Sequence, residues 1–215
     1  MQSNAHLINS LQDLEHACAE LVRLEPRFGQ LQARNGTPRL RTRPAGLEGL
    51  AWIVTGQLIS AQAAHAIWQR VQNVLHPFEA ERIAALPVDE VAAAGLTRAK
   101  ANCIIGAAQA VCEDRFSFDA LAPLEDSAAS AWLMQLKGIG RWSADIYLMT
   151  CLGRPDAWPA GDLAVRAGLQ SFLGLDALPP ISQMEGLARD WQPWRAVAAR
   201  YLWDHYLAER GLKGL

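Results

Sequence analysis

The chain has 215 residues, 51% of them hydrophobic, and a formal net charge of −2. That length and composition suit one large domain or two small lobes around a sizeable core. The charge excludes a broad basic face for nucleic acid, but not a grip on phosphates through main-chain amides and a local arginine cluster.

Alanine and leucine dominate, β-branched residues are sparse, and long runs carry helical spacing, so the fold class is all-α. INSLQDLEHACAELVRL reads as an amphipathic helix ending before Pro26. Residues 26–46 are rich in Pro, Gly and Arg and read as a loop. Its RNGTPRLRTR stretch holds Arg34, Arg39, Arg41 and Arg43, either a phosphate-gripping cluster or a solvated loop. LEGLAWIVTGQLISAQAAHAIWQRVQNVL reads as two helices broken near Gly56–Ser60, with Ser60 as an N-cap. Short helices follow at EAERIAAL and, after Pro87, VDEVAAAG; TRAKANCIIGAAQAVCEDR is longer, with Thr97 at its cap. DSAASAWLMQL and RWSADIYLMTCL flank a glycine turn, GDLAVRAGLQSFLG is the next helix, and SQMEGLARDW is a short one. PWRAVAARYLWDHYLAERG closes the chain, with Pro193 in the first turn.

Cys18, Cys103, Cys112 and Cys151 form no C-x-x-C pair and have no His at ligand spacing, so free thiols are expected rather than zinc or iron–sulfur ligands. The five His residues form no cluster, and His65 and His205 read as partly buried helix residues. No apolar run is long and charge-free enough to span a bilayer, and MQSNAHLINSLQD lacks a basic stretch followed by an apolar one. A soluble, cytoplasmic protein with no membrane partner is expected.

In LKGIGRWSADIYLM two glycines flank one isoleucine. Gly138 and Gly140 can both take positive φ, as a tight helix–helix connection often needs. Gly140 also leaves the next helix N-terminus free of side chains, where amides and the helix dipole can hold a phosphate. Leu136, Ile139, Ala144, Tyr147 and Leu148 would pack the two helices together. From spacing alone, a phosphate-binding hairpin and a structural turn both remain open.

LKGIGRWSADIYLM resembles the helix–hairpin–helix motif of the DNA glycosylase superfamily, and WPAGDLAVRAG resembles its Gly/Pro-rich loop with an aspartate. Asp162 lies 20 residues beyond Trp142, the separation of the alkylpurine branch. IVTGQLISAQAA, GLTRAKANCIIGAAQAV and WQPWRAVAARYLW resemble further motifs of that branch, in family order over residues 45–205. The resemblance is to DNA-3-methyladenine glycosylase II, the AlkA type, without the extra N-terminal β domain of some members. It implies a single glycosylase domain over residues 1–215 with two lobes and a DNA and base cleft between them. One lobe covers about residues 46–150 and ends in the hairpin 134–149; the other joins 1–45 to 151–215.

The resemblance also assigns roles. Leu58, with Gln57 beside it, matches the wedge that fills the stack when a nucleotide is flipped; read locally, Leu58 is a core leucine of its helix. Gly138, Ile139, Gly140 and Arg141 match the phosphate-binding hairpin, and the main-chain carbonyls of Met134, Leu136 and Ile139 match a monovalent-cation site, Na+ or K+. Asp162 matches the catalytic carboxylate that stabilises an oxocarbenium-like sugar and orients water; read locally it is an N-cap, and the two roles are compatible. Of eight tryptophans, Trp142 and Trp203 match the base pocket, where an indole face attracts a cationic alkylated base. Trp52, Trp68, Trp132, Trp191 and Trp194 read as packing.

Lyase-competent relatives have lysine where this chain has Trp142, and the iron–sulfur branch has a C-terminal four-cysteine cluster, whereas Cys151 is the last cysteine here. The expectation is therefore a monofunctional, monomeric glycosylase. It would act on alkylated bases in double-stranded DNA, such as 3-methyladenine and 7-methylguanine, in a nucleoid-associated cytoplasmic setting. It would need no required cofactor and no iron–sulfur cluster. A glycosylase for oxidised or mismatched bases and a non-catalytic DNA-binding hairpin module are the alternatives. Trp142 and the C-terminal W-x-P-W-R speak against the first, and Asp162 speaks against the second.

Overall fold

The computed structural model describes residues 7–212. The outermost residues of the expected second lobe, 1–6 and 213–215, lie outside that range. Described elements are helical and none is a strand. No described helix is long and apolar enough to cross a membrane. By contact the chain divides into two compact units, Arg43–Tyr147 and Met1–Thr42 with Leu148–Gly214.

The first helices belong to the second of these units. α1 (Leu11–Leu24) starts at a capping box between Ser10 and Asp13 and buries Leu14, Ala17, Cys18 and Leu21, one stripe of a 3.6-residue period. The loop expected over residues 26–46 is not all loop: α2 spans Arg27–Asn35. A long-range contact overrides the local composition here. Phe28 is buried and stacks on Phe172 at 4.5 Å, with Trp191 edge-on at 5.0 Å, so apolar burial holds a stretch whose polar residues alone signal a loop.

Unit Arg43–Tyr147 holds α3 (Leu47–Gly56), α4 (Ala61–Leu75), α5 (Ala80–Ala84), α6 (Val88–Ala93), α7 (Arg98–Cys112) and α8 (Asp126–Leu133), with a 3-10 turn at Asp119–Leu121 that the sequence reading did not expect. Helix α7 is central and packs against α3, α5 and α6. Its buried residues include Ala101, Ala107, Ala108 and Ala110, whose small side chains let three neighbours approach. Ser60 caps α4 and Thr97 caps α7 through their side chains. Trp68 is buried and stacks on Phe78 at 5.9 Å.

The boundary at residues 147 and 148 falls inside α9 (Arg141–Thr150). Beyond it come α10 (Leu163–Leu173), α11 (Ile181–Leu187), a 3-10 turn at Arg189–Trp191 and α12 (Arg195–Glu209). Pro193 does not sit in the first turn of α12: Trp194 is the cap and Pro193 precedes it. Helix α12 packs against α10, α2 and α1, and residues Ala196–Leu202 are buried without a break. That run includes Arg200. Burial pulls its pKa down to about 10, and its guanidinium donates to the carbonyls of Arg39, Leu40 and Met149. The carbonyls compensate part of the desolvation. The arginine-rich segment is thus pinned by its backbone.

Helices α10 and α12 meet where a Cβ on Gly168 would lie 2.3 Å from the Leu202 carbonyl oxygen. Backbone is in the way, so no rotamer change relieves the clash. Gly168→Ala is expected to cost about 2–3 kcal/mol and to lower Tm by roughly 4–12 °C for a chain of this size. A thermal melt checks this; an unchanged Tm would rule out so close an approach.

Candidate DNA-processing site

The hairpin begins where α8 ends. The Leu136 carbonyl accepts from the Ile139 N–H, which closes the turn, and Gly140 accepts from the Ala144 N–H, which makes Gly140 the cap residue of α9. A glycine there has no side chain to fold over the first turn of the helix. Only one of the two glycines takes positive φ: Gly138 at +93°, and not Gly140. Gly138 also presses on α7, since a Cβ would lie 2.9 Å from the Cys103 Sγ. Burial pushes the Cys103 thiol up to about 11, so it serves there as an inert apolar packing group. Leu136 and Ile139 are buried, while Met134 is exposed. Arg141 is mostly exposed, and its Nε donates to both carboxylate oxygens of the buried Asp145 at 2.8 and 2.9 Å.

The turn between α3 and α4 holds Leu58. Its φ is +58° and its side chain is fully exposed at 103%, so it is not the core leucine that its local sequence permits. A branched-chain residue in the left-handed region costs on the order of 1 kcal/mol or more, and such outliers collect at functional sites. The neighbouring Gln57 fixes the turn to the hairpin. Its Nε2 donates to the Ser143 hydroxyl at 2.9 Å and to the Gly138 carbonyl at 3.2 Å. Lys100 closes the arrangement from α7, donating to the carbonyls of Thr55 at 2.9 Å and Gln57 at 2.8 Å. In the sequence Lys100 belongs to the GLTRAKANCIIGAAQAV motif and Ser143 to the hairpin motif, but neither has a role there.

In the other unit Asp162 caps α10. Its Oδ1 accepts from the amides of Ala164 at 2.9 Å and Val165 at 3.0 Å, and from the Trp203 indole Nε1 at 2.9 Å. Trp203 is fixed in turn. The Arg41 guanidinium lies over its ring at 5.6 Å from the centroid and is paired with Asp204 at 2.8 Å. One indole face of Trp203 therefore already carries a cation. The Arg41 Nη1 is buried without a hydrogen-bond partner. Arg41 is thus not part of a solvated loop; it is built into the surroundings of Asp162.

The structure accordingly brings Gln57 to the hairpin in one unit and Trp203 to Asp162 in the other. Trp142 is half-buried in the first turn of α9. A cavity of about 310 Å³ in unit Arg43–Tyr147 is lined by Trp52, His65, Trp68 and, from the arginine cluster, Arg43 among others, and includes none of the residues to which the resemblance assigns a role. His65 is exposed there rather than partly buried. Among the described residues no cluster of three or more His, Cys, Asp or Glu could hold a metal ion.

Residues 51–193 match the family model of the HhH-GPD superfamily of base excision DNA repair proteins. The chain is 27% identical over 174 residues to a DNA-3-methyladenine glycosylase of Bacillus subtilis, covering 74% of this chain and 57% of that relative. It is 26% identical over 200 residues to an alkylbase DNA glycosidase-like protein of Schizosaccharomyces pombe, covering 89% of this chain and 93% of the relative. In structure it is similar to the 3-methyladenine DNA glycosylase of S. pombe in complex with abasic DNA, with a TM-score of 0.79, 25% identity, and coverage of 87% of this chain and 95% of that one. The chain thus spans little more than half of the bacterial relative's length.

The two hairpin glycines should separate on substitution. Gly138→Ala meets both the positive φ and Cys103, and is expected to cost about 2–4 kcal/mol. A Cβ on Gly140 has nothing within 4 Å, so Gly140→Ala should lose only glycine's advantage over alanine as a cap, about 1 kcal/mol or less, and melt within about 4 °C of the parent. Equal melting of the two variants would contradict the geometry of the turn.

Proposed function

This chain belongs to the HhH-GPD superfamily of base excision DNA repair proteins, and on that premise we propose that it is a monofunctional DNA glycosylase, of the 3-methyladenine glycosylase II type, that removes alkylated bases from duplex DNA. The observation that carries this reading is Leu58: a fully exposed leucine at positive φ, beside a hairpin whose helix starts on a bare glycine. A soluble protein has little reason to hold a leucine in that state unless an apolar partner such as a base stack receives it. The names and the DNA-bound structure of the similar proteins support the same reading.

In this reading unit Arg43–Tyr147 grips and opens the duplex. The amides at the start of α9, at the positive end of its dipole, hold a phosphate, with the Arg141 guanidinium beside them. Leu58 fills the stack vacated by the flipped nucleotide. A monovalent cation at the carbonyls of Met134, Leu136 and Ile139 would add positive charge to the hairpin. The Leu136 oxygen keeps a second lone pair for it after accepting from Ile139.

Asp162 carries the chemistry. The C1′–N bond breaks and its electron pair leaves with the base. A base alkylated at N3 or N7 departs neutral, so no general acid is needed. The carboxylate stabilises the cationic sugar and takes a proton from the water that attacks C1′. Three donors on Oδ1 fix the orientation of the group before the reaction starts. Trp142 is the indole assigned to a cationic base. Trp203 can offer a base only the face that Arg41 does not cover, and its main task is to orient Asp162. The protein works as a monomer on chromosomal DNA in the cytoplasm.

Asp162→Asn tests the catalytic assignment. Asparagine keeps an Oδ1 that can accept from Ala164, Val165 and Trp203, so Tm should change little. Loss of the preorganised charge should slow single-turnover excision roughly 100-fold or more. A near-parental rate would remove Asp162 from the chemistry.

Trp142 stands where lyase-competent relatives have lysine, so excision should leave the abasic strand intact, and borohydride should trap no protein–DNA adduct. A trapped adduct would mean that an amine attacks the sugar. Lys137, exposed at the same turn, is then the first residue to replace.

A further inference from the structure

Leu58 is fully exposed, so none of its own packing holds it in place. Whatever fixes the wedge must act on the backbone of its turn. Two residues do so. Gln57 ties the turn sideways to Gly138 and Ser143, and Lys100 ties it from beneath through the carbonyls of Thr55 and Gln57. Those carbonyls lie at the C-terminal end of α3, where main-chain oxygens lack helical partners and the dipole is negative. A lysine ammonium is the side chain that such an end attracts.

The position of Lys100 within its own helix is unfavourable. It lies in the first turn of α7, at the positive end of that dipole. It is also half-buried, and burial lowers its pKa below the ordinary lysine value. Neither local helix stability nor solvation accounts for a cation there; the end of α3 does. Thr97, which caps α7 and accepts the Lys100 amide, fixes where the stem begins.

We infer that Lys100 is a positioning residue for duplex opening: it holds the end of α3 so that the Leu58 wedge stays registered to the hairpin through Gln57. The inference rests on the proposed glycosylase reading, in which Leu58 enters the duplex. Its consequence is selective. A loosened wedge should impair extrusion of a stacked base and leave the processing of an already unstacked base almost untouched. General destabilisation would lower both.

The test uses the full chain and compares Lys100→Met, which keeps the stem and loses the donors, with Lys100→Arg, which keeps charge and donors. Single-turnover excision of one alkylated base is measured in a duplex and in the single strand, with Leu58→Ala and the Leu58→Ala/Lys100→Met double variant alongside. Lys100→Met should lose about tenfold on duplex, the size of one charge-assisted hydrogen bond, and less than about threefold on single strands. Lys100→Arg should recover most of that loss. The double variant should be no slower on duplex than Leu58→Ala alone, because both changes remove the same function. Equal losses on both substrates, or fully additive losses in the double variant, overturn the inference. Duplex opening is also read without excision, by the emission of a fluorescent base analogue in place of the lesion. If the parent protein excises nothing, the glycosylase reading fails. The brace then still stands if Lys100→Met weakens the emission gain that the parent protein produces, and falls if the two proteins match.

Discussion

A single carboxamide links two turns that are far apart in sequence. Gln57 donates to the hydroxyl of Ser143 and to the carbonyl of Gly138, across separations of 86 and 81 residues. Everything proposed for the Arg43–Tyr147 unit depends on that link. Without it the hairpin is one helical connection and the α3–α4 turn is another. With it, a bare helix start and an exposed leucine share one frame. The frame is kept rigid from below, because Gly138 seats directly on Cys103 in α7, and α7 also supplies Lys100. The central helix of the unit therefore sets the position of both turns at once.

The other unit reaches fixation by a different route. Asp162 is an N-cap, so two of its bonds are local and follow from the start of α10. The third comes from Trp203 in α12. Trp203 packs under Arg41, Arg41 is paired with Asp204, and the segment bearing Arg41 is held by Arg200 through the carbonyls of Arg39 and Leu40. In its proposed catalytic role the carboxylate would gain from such a chain of contacts, since a misplaced group loses much of its electrostatic effect. Rigidity here comes from a buried guanidinium acting on backbone, which leaves the side chain of Arg41 available to pack on the indole.

The all-helical class, most helix positions and the caps at Ser60, Thr97 and Asp162 were legible in the sequence because each depends on residues within a few positions. Helix α2 was not, because Phe28 is helical on account of Phe172 and Trp191, which no local window contains. The exposure of Leu58 was likewise hidden, since a leucine between two apolar helices reads as core until the left-handed backbone turns it outward. Gly138 and Gly140 look equivalent in the sequence and are not: one takes positive φ against Cys103, and the other starts a helix. The residues of the proposed site could be named from the resemblance that their motifs carry. The supporting roles of Lys100, Ser143, Arg41 and Asp204 could not be, because support is a matter of contacts between distant segments.

The same distinction bears on how a chain of net charge −2 could hold a polyanion. Many of its arginines are committed internally. Arg200 serves backbone carbonyls, Arg195 bridges Asp156 and Glu185, Arg41 pairs with Asp204, and Arg70 and Arg82 donate to the carbonyls of Ala94 and Val74. A count of basic residues therefore overstates the charge available for phosphate contacts. A helix start costs no net charge, and it directs its amides without the side-chain entropy of a long arginine. A chain that spends its guanidinium groups on its own architecture has reason to place a bare glycine at the start of α9 and a leucine, rather than an arginine, in the adjoining turn.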